Sequence, residues 1–355
     1  MEFIEQIREN NKHHDISSVE LTPLLEEANK TYQEQFDDTV FFERSLFINW
    51  TCGIADCKYC YLSTQPKQAK HAIRHPASIY AEALICKLMG WKVGYITGGL
   101  RVEEHSYIIN LLDTLHVVLG EQIMMNFGPY TKSEVSLFKP HVTGMGSAIE
   151  SFDEELHNYI CPSKPLKALK NFLGHLQEQG MKKLITIILG MGEKKEDVQE
   201  VIAQIKNYDI NIVQLCFLKP QEHTVFDDVP SPDPNYMAWW IAQLRIAIPT
   251  LHIKVALVRE RISDTSLYLQ AGANNVTRFM VFKDFASEYA AELEEECKKA
   301  HRRLQGHFSE VPPIDIDKEV NQLALEENLK EQIRSKAKQY YERLLRCQRE
   351  HEAED

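Results

Sequence analysis

The fold is decided by a short stretch in which an apolar run leads into three cysteines: Leu46-Phe-Ile-Asn49-Trp-Thr-Cys52-Gly-Ile-Ala-Asp-Cys57-Lys-Tyr-Cys60. The apolar run, 46–49, has the pattern of a buried β-strand, and the cysteines lie on the loop that follows it. Three of the eight cysteines are therefore clustered on one loop, which is not a spacing typical of disulfides. We interpret the loop as a ligand-bearing segment at the end of a strand.

Seven further apolar or β-branched runs follow, and an amphipathic segment separates each run from the next. Strands that alternate with helices predict an α/β fold with a parallel sheet, and eight units predict a (β/α)8 barrel of the TIM type. In such a barrel the chemistry lies at the carboxyl ends of the strands. The predicted strands are 46–49, 93–97, 123–126, 142–145, 184–189, 210–217, 252–258 and 275–279.

Both ends of the chain differ from this central pattern. Residues 1–43 are polar and predict a helical extension, 44–290 form the predicted barrel, and 291–355 are rich in Glu, Lys, Gln and Arg. The last segment predicts a charged helical tail with an apolar stripe. The stripe could cover the outside of its own barrel or bind a partner protein.

Composition excludes several classes of function. The formal net charge of −12 leaves no general basic surface, so a nucleic-acid partner is not expected. The N-terminus has no basic leader followed by an apolar run, and no apolar run reaches membrane-spanning length. These features predict a cytoplasmic protein without a membrane segment.

The chemistry of the cysteine loop has three interpretations. Three thiolates can hold three irons of a 4Fe-4S cluster and leave the fourth iron open to a ligand. A zinc site would need further ligands, for which His71 and His75 are near in sequence. Three core cysteines are the third interpretation, but the loop contains Gly, Asp and Lys instead of an apolar run.

This loop resembles the cluster loop of radical S-adenosylmethionine (SAM) enzymes, in which an aromatic residue such as Tyr59 precedes the last cysteine. It departs from the commonest pattern, because four residues instead of three separate Cys52 from Cys57. The resemblance implies that Cys52, Cys57 and Cys60 bind a 4Fe-4S cluster. It also implies that SAM chelates the open iron and that Tyr59 packs near its adenine.

Segments after later strands extend the resemblance over roughly residues 40–290 and make it closest to the biotin synthase-like branch. Gly98 and Gly99 follow the second strand, where the family binds the SAM amino group and where glycine permits close approach. Glu150 follows the fourth strand, where related maturases place a carboxylate against SAM. Gly190 opens a Gly-x-Gly-Glu turn after the fifth strand. The resemblance implies SAM-binding roles for all four residues.

Other residues bear on the reaction. Biotin synthase binds a second cluster through three cysteines and an arginine, and Arg261 resembles that arginine, but predicted strands three and five contain no cysteine. Biotin formation is therefore disfavoured. Cys161 is predicted to open the helix after strand four, where a lowered thiol pKa would make it an additional ligand or a reactive thiol. Cys216 is interpreted as a core residue.

The resemblance implies a SAM-dependent radical enzyme of cofactor biosynthesis, with a one-electron reductant protein as a partner. The leading reaction is sulfur insertion into a protein-bound octanoyl chain, as in the two-protein archaeal lipoyl synthases. The alternatives are a maturase for a hydrogenase iron cofactor, an amino-acid mutase of the same branch, and a non-enzymatic electron-transfer protein. An acyl-carrier-bound octanoyl substrate predicts an apolar tunnel, whereas a small amino-acid substrate predicts charges such as Arg259 or Arg278 in the barrel mouth.

Overall fold

A computed structural model of the protein describes residues 2–64 and 72–352. The strands are β1 Thr39–Phe47, β2 Lys92–Thr97, β3 Met124–Asn126, β4 Gly144–Glu150, β5 Lys182–Leu189, β6 Ile212–Phe217, β7 His252–Ala256, β8 Asn275–Thr277 and β9 Arg303–Gln305. The helices are α1 Glu2–Asn11, α2 Ser18–Gln35, α3 Pro76–Leu88, α4 His105–Leu119, α5 Lys132–Phe138, α6 Glu154–Ile160, α7 Leu166–Glu178, α8 Asp197–Asn207, α9 Pro234–Ala247, α10 Thr265–Gln270, α11 Val281–Asp284, α12 Glu288–Lys299, α13 Ile316–Asn321 and α14 Glu327–Glu352.

Strands β1 to β8 form a closed parallel barrel, which confirms the predicted fold class. Each strand pairs with the next along the chain, and β1 closes the barrel by pairing with both β8 and β2. Each of the eight predicted strands overlaps a strand of the barrel. The ninth strand, β9, was not predicted, because Arg-Leu-Gln is short and polar; it pairs with β1 in parallel at the barrel's edge.

The first strand begins at Thr39, earlier than the predicted start at residue 46. Charged residues in its middle, Glu43 and Arg44, concealed the strand pattern in the sequence. Glu43 is buried and contacts Lys254 of β7, with His252 Nε2 3.6 Å from the carboxylate. Burial opposes ionisation of Glu43, but these two side chains hold its pKa well below the usual range. Glu43 is therefore paired inside the barrel, and Arg44 is paired with Glu82 of α3 outside it.

The two terminal extensions pack against the barrel. Helix α2 lies on α9, and the C-terminal helix α14 lies on α3. Ile333, Ala337 and Leu344 form the buried stripe of α14, so this stripe covers the chain's own barrel. None of the helices in the described residues is long and apolar enough to span a membrane.

Candidate active site

The cysteine loop, residues 50–60, is held against the carboxyl end of β2. Gly99 N–H donates to Asn49 Oδ1 at 2.7 Å, and Gly53 N–H donates to Leu100 O at 2.7 Å. A Cβ atom at Gly99 would lie 1.7 Å from Thr51 O, so a side chain there would displace the loop. The sequence predicted that Gly98 and Gly99 approach SAM; in the structure they approach the loop that carries the cysteines.

The three cysteines are free thiols and half-buried. Leu100 N–H donates to Cys52 Sγ at 3.3 Å. Burial raises the pKa of Cys60 to about 11, and the neighbouring Cys57 and Cys52 contribute to this rise, so the thiols are close together. Three adjacent half-buried thiols on one loop, with an N–H donor to one of them, fit the ligand set of a 4Fe-4S cluster.

A single metal ion has a different requirement. In residues 2–64 and 72–352, no group of three or more His, Cys, Asp or Glu side chains converges on one ion position. A 4Fe-4S cluster does not require its ligands to converge on one ion position, because each thiolate binds a different iron. Of the two histidines considered for zinc, His75 accepts the Ala77 N–H at the start of α3, and His71 lies outside the described residues.

Tyr59 and Glu150 lie in one buried network. The Tyr59 hydroxyl donates to Glu150 Oε1 at 2.7 Å, and Lys164 Nζ donates to both carboxylate oxygens at 2.6 and 2.8 Å. Burial and the charge of Glu150 raise the pKa of Tyr59 well above its usual value. Burial opposes the charge of Lys164, but Glu150 raises the lysine pKa. Glu150 is therefore neutralised within the chain, by a lysine that sequence reasoning missed.

A cavity of about 460 Å³ opens beside the cysteine loop. Asn49, Gly99, Leu100, Glu103 and Lys164 are among its lining residues. Two polar side chains of this lining, Asn49 and Glu103, interact with each other, and the hydrogen bond from Asn49 opposes the effect of burial on the pKa of Glu103. Burial raises the pKa of Glu103. The size of the cavity and its polar side chains fit a small polar ligand.

Two predicted site residues lie in other surroundings. Gly190 N–H donates to Glu193 Oε1 at 2.8 Å, and its carbonyl accepts from Asn11 of α1, so Gly190 belongs to a turn beneath that helix. The Arg261 guanidinium donates to Pro232 O at 2.6 Å and lies 3.4 Å from Asp264. These contacts do not bring Arg261 to the cysteine loop.

Cys161 contacts the cysteine loop, but from a different position than predicted. It ends α6 instead of opening the next helix, and it is fully buried. The lowered thiol pKa that was predicted is wrong, because a hydrogen bond with Cys57 and burial both raise the pKa of Cys161. The same bond lowers the pKa of Cys57. Cys161 therefore supports the thiolate form of a cluster ligand.

A second cluster of polar side chains lies inside the barrel. It consists of Tyr95, Gln214 and Cys216 and is called the lumen network. The Tyr95 hydroxyl donates to Gln214 Oε1 at 2.7 Å, and Gln214 Nε2 lies 3.6 Å from Cys216 Sγ. Strands β2 and β6 are not neighbours in the sheet, so the Tyr95–Gln214 bond must cross the lumen. Cys216 is buried, as expected of a core residue, but its surroundings are polar.

Comparisons with known proteins agree with this site. The model of the radical SAM superfamily matches residues 52–205. The protein named Uncharacterized protein MJ0597, from Methanocaldococcus jannaschii, is 30% identical over 344 residues, which cover 91% of this chain and 95% of that protein. Biotin synthase from Shewanella halifaxensis is 25% identical over 286 residues, 76% of this chain and 81% of the enzyme. The crystal structure of methylornithine synthase (PylB) superposes with a TM-score of 0.64 at 21% identity, over 75% of this chain and 80% of that one.

A TIM-type barrel with a cysteine loop after its first strand defines a class of enzymes, and the chain belongs to that class, the radical SAM superfamily. Its relatives are consistent with the biotin synthase-like branch. The cofactors of the superfamily are a 4Fe-4S cluster and SAM.

Proposed function

We propose that the protein cleaves SAM reductively and abstracts a hydrogen atom from a substrate in the barrel lumen. Cys52, Cys57 and Cys60 hold the cluster in this proposal, and a one-electron reductant protein supplies the electron. The observation that carries it is the position of the cysteine loop, which is docked on Gly99 and opens onto a cavity of about 460 Å³.

The residues of the chain have distinct tasks. When bound, the cluster and SAM supply the electron-transfer and radical chemistry, and the protein supplies binding, orientation and exclusion of water. Leu100 N–H donates to Cys52 Sγ and helps to fix its position, and Asn49 holds Gly99 against the loop. Lys164 forms an ion pair with the buried carboxylate of Glu150 beside Tyr59. The cysteine loop therefore packs on a region that carries no unpaired charge from these residues.

Two reactions of this branch are candidates for the radical step. Sulfur insertion into a protein-bound octanoyl chain, as in lipoyl synthases, would require an apolar path to the cluster. Rearrangement or cleavage of a small polar substrate, as in a mutase or a maturase, would require polar groups in the lumen. The lumen network of Tyr95, Gln214 and Cys216 favours the small polar substrate.

The test is reductive SAM cleavage without oxygen. The purified protein is reconstituted with iron and sulfide, mixed with SAM and dithionite, and assayed for 5'-deoxyadenosine and methionine. We expect the wild type and a Cys347→Ala control to form both products, because Cys347 lies on α14 away from the loop. A variant with Cys52, Cys57 and Cys60 all changed to Ala should form neither. Binding of a cluster by the wild type without SAM cleavage would contradict the proposal and support an electron-transfer role.

A further inference from the structure

The backbone brings Cys57 of the cysteine loop next to Cys161 at the end of α6. Lys58 N–H donates to Ile160 O at 2.8 Å. This N–H belongs to the peptide group that joins Cys57 to Lys58, and the carbonyl belongs to the group that joins Ile160 to Cys161. Backbones joined by such bonds in sheets lie about 4.7–4.9 Å apart, and disulfides join Cα atoms that are about 4.4–6.8 Å apart. The two cysteines are therefore held within the range of a disulfide.

Two side-chain contacts keep the same segments aligned. Lys58 Nζ lies 3.9 Å from the centre of the Tyr159 ring, and the Ser163 hydroxyl donates to Asp56. The contacting residues of the loop directly flank its cysteine on both sides. Those near α6 lie two residues before and two residues after the other cysteine. The pairing of the two cysteines is therefore fixed from both sides.

Cys60 is the other thiol close to Cys57 along the chain, because its N–H donates to Cys57 O at 3.1 Å. The packing of the side chains favours Cys161 instead. Cys161 belongs to a buried apolar cluster against which Cys57 packs, and in the described part of the chain Cys60 is not a member of that cluster. The side chain of Cys57 therefore faces Cys161.

The two thiols differ in exposure. Cys57 is half-buried, whereas Cys161 is fully buried. An oxidant dissolved in water therefore reaches Cys57 first. An accessible thiol that becomes a sulfenic acid condenses with a neighbouring thiol to a disulfide, and this reaction is reversible. Cys161 is the neighbouring thiol in this arrangement.

We propose that Cys57 and Cys161 form a reversible disulfide when the cluster-free chain meets a peroxide, and that this bond blocks cluster binding until a dithiol reduces it. The thiolate of Cys57 attacks one oxygen of the peroxide, the O–O bond breaks, and the departing hydroxide takes up the proton that Cys57 released. The sulfur of Cys161 then attacks the Cys57 sulfenic acid, the S–S bond forms, and the S–O bond breaks with loss of water. Two thiols and hydrogen peroxide thus give one disulfide and two waters. The dithiol reverses the bond by exchange and becomes a disulfide itself.

The effect on cluster binding rests on the proposed function, whereas the disulfide itself does not. With Cys57 in the disulfide, the loop retains only two free thiols, Cys52 and Cys60, instead of the three that the cluster requires. Without a neighbouring thiol, the sulfenic acid of Cys57 would oxidise further to a sulfinic acid, which thiols do not reduce. The bond to Cys161 therefore preserves a ligand of the cluster in a recoverable form.

Peptide mapping of the full-length, cluster-free chain tests the disulfide. The reduced protein is treated with one equivalent of hydrogen peroxide, alkylated, and digested with trypsin without a reductant. Cleavage after Lys58 separates Cys57 from Cys60, and fragmentation of the linked peptides distinguishes Cys57 from Cys52. We expect the Cys57 peptide to be linked to the Cys161 peptide, with a mass two hydrogens below their sum. Dithiothreitol should separate them.

Variants and cluster uptake test the consequence. After peroxide and then dithiothreitol, Cys57 should return to a thiol in the wild type and in the control Cys347→Ala, whose replaced thiol lies on α14. In Cys161→Ala, more of Cys57 should remain as sulfinic acid. Uptake of iron and sulfide is compared with that of the same protein before oxidation. We expect the wild type to lose uptake after peroxide and to regain it after dithiothreitol.

The opposite results overturn the inference. A peptide map in which Cys57 is linked mainly to Cys60, or in which Cys161 stays a thiol, would exclude the proposed bond. Equal sulfinic acid in the wild type and Cys161→Ala would exclude protection by Cys161, and unchanged uptake after oxidation would exclude the block. The outcome is separable from the proposed function. A Cys57–Cys161 link in a chain that never binds a cluster retains the disulfide and rejects the radical role, whereas SAM cleavage by a chain that forms no link does the reverse.

Discussion

The N-terminal helix α1 and the C-terminal helix α14 both lie outside the barrel, but they are attached by different forces. Helix α14 buries Ile333, Ala337 and Leu344 along the barrel wall. Helix α1 buries Ile7 and also uses side-chain amides at the barrel mouth: Asn10 Nδ2 donates to Gly192 O at 2.7 Å and Asn11 Nδ2 donates to Gly190 O at 2.8 Å. Burial of an apolar stripe contributes more to the stability of a docked helix than a few hydrogen bonds do. Each hydrogen bond has a modest net free energy, so a helix held mainly by such bonds can detach locally.

The position of α1 makes this difference relevant to the site. Its one fully buried apolar residue, Ile7, packs in a cluster with Met191 and Cys161, against which Cys57 and Tyr59 also pack. Helix α1, the more weakly attached of the two, therefore covers the side of the barrel mouth nearest the cysteine loop. Helix α14 covers the outer wall of the barrel.

The largest effect should come from truncating the apolar stripe of α14. Ile333→Ala removes a fully buried side chain and should lower the free energy of unfolding by about 2–5 kcal/mol. Ser335→Ala, on the exposed side of the same helix, is the matched control and should stay within about 0.5 kcal/mol of wild type. Urea unfolding followed by circular dichroism measures both. Equal midpoints for the two variants would show that the stripe does not hold α14 to the wall.

A smaller but more specific effect should follow from removing the amides of α1. The double variant Asn10→Ala/Asn11→Ala loses two hydrogen bonds of about 1 kcal/mol each. We expect faster hydrogen exchange in residues 2–11 and faster bleaching of the reconstituted cluster in air, with little change in global unfolding. Asn207→Ala, at an exposed helix end far from the mouth, is the control. Unchanged bleaching in the double variant would mean that α1 does not shield the cluster.

The smallest effect concerns pH. The Arg8 guanidinium of α1 donates to Asp228 at 2.6 and 2.7 Å and lowers the pKa of that carboxyl below its usual value of about 3.9. Because the folded-state pKa is depressed, the pair's contribution is present above the unfolded-state pKa and is lost as the pH falls through the folded-state pKa. Both side chains are accessible to water, so the gain is small and salt screens it.

Hydrogen exchange in α1, compared between neutral pH and about pH 3, measures this contribution. Relative to the intrinsic exchange rate at each pH, acid should lower the protection of α1 in the wild type more than in Asp228→Asn, which lacks the titrating carboxyl. The two proteins should converge at high salt. The same acid response in both would assign the pH dependence to other groups of the mouth.

The barrel was predictable from sequence because buried parallel strands need apolar runs, which are visible without coordinates. The grouping of the three cysteines was predictable because Cys52, Cys57 and Cys60 are adjacent on one loop. Contacts between distant segments were not predictable. Glu150 was expected to face SAM, but its counter-ion Lys164 follows on a later loop, and no local pattern pairs the two.

Arginines near strand ends illustrate the same limit. From the sequence, Arg259 and Arg278 were both candidates for a charge in the barrel mouth. Arg261 was matched to the arginine that binds the second cluster of biotin synthase. Only the folded chain shows that Arg259 is paired with Asp284 and that Arg261 contacts Pro232. Similar residues after neighbouring strands differ in role because their partners lie on other strands.

The pairing of β1 has a consequence for the order in which the nascent protein matures. Strand β1 contacts β8 through Phe42 and Val276 and contacts β9 through Val40 and Leu304, partners more than two hundred residues away in the chain. Such distant contacts form late, because a long loop must close before they are gained. On the ribosome, the cysteine loop that follows β1 must therefore wait until the chain has been made through Thr277 before the barrel closes around it. Iron loaded earlier would be held by thiols open to water, so we expect cluster insertion to follow release of the finished chain.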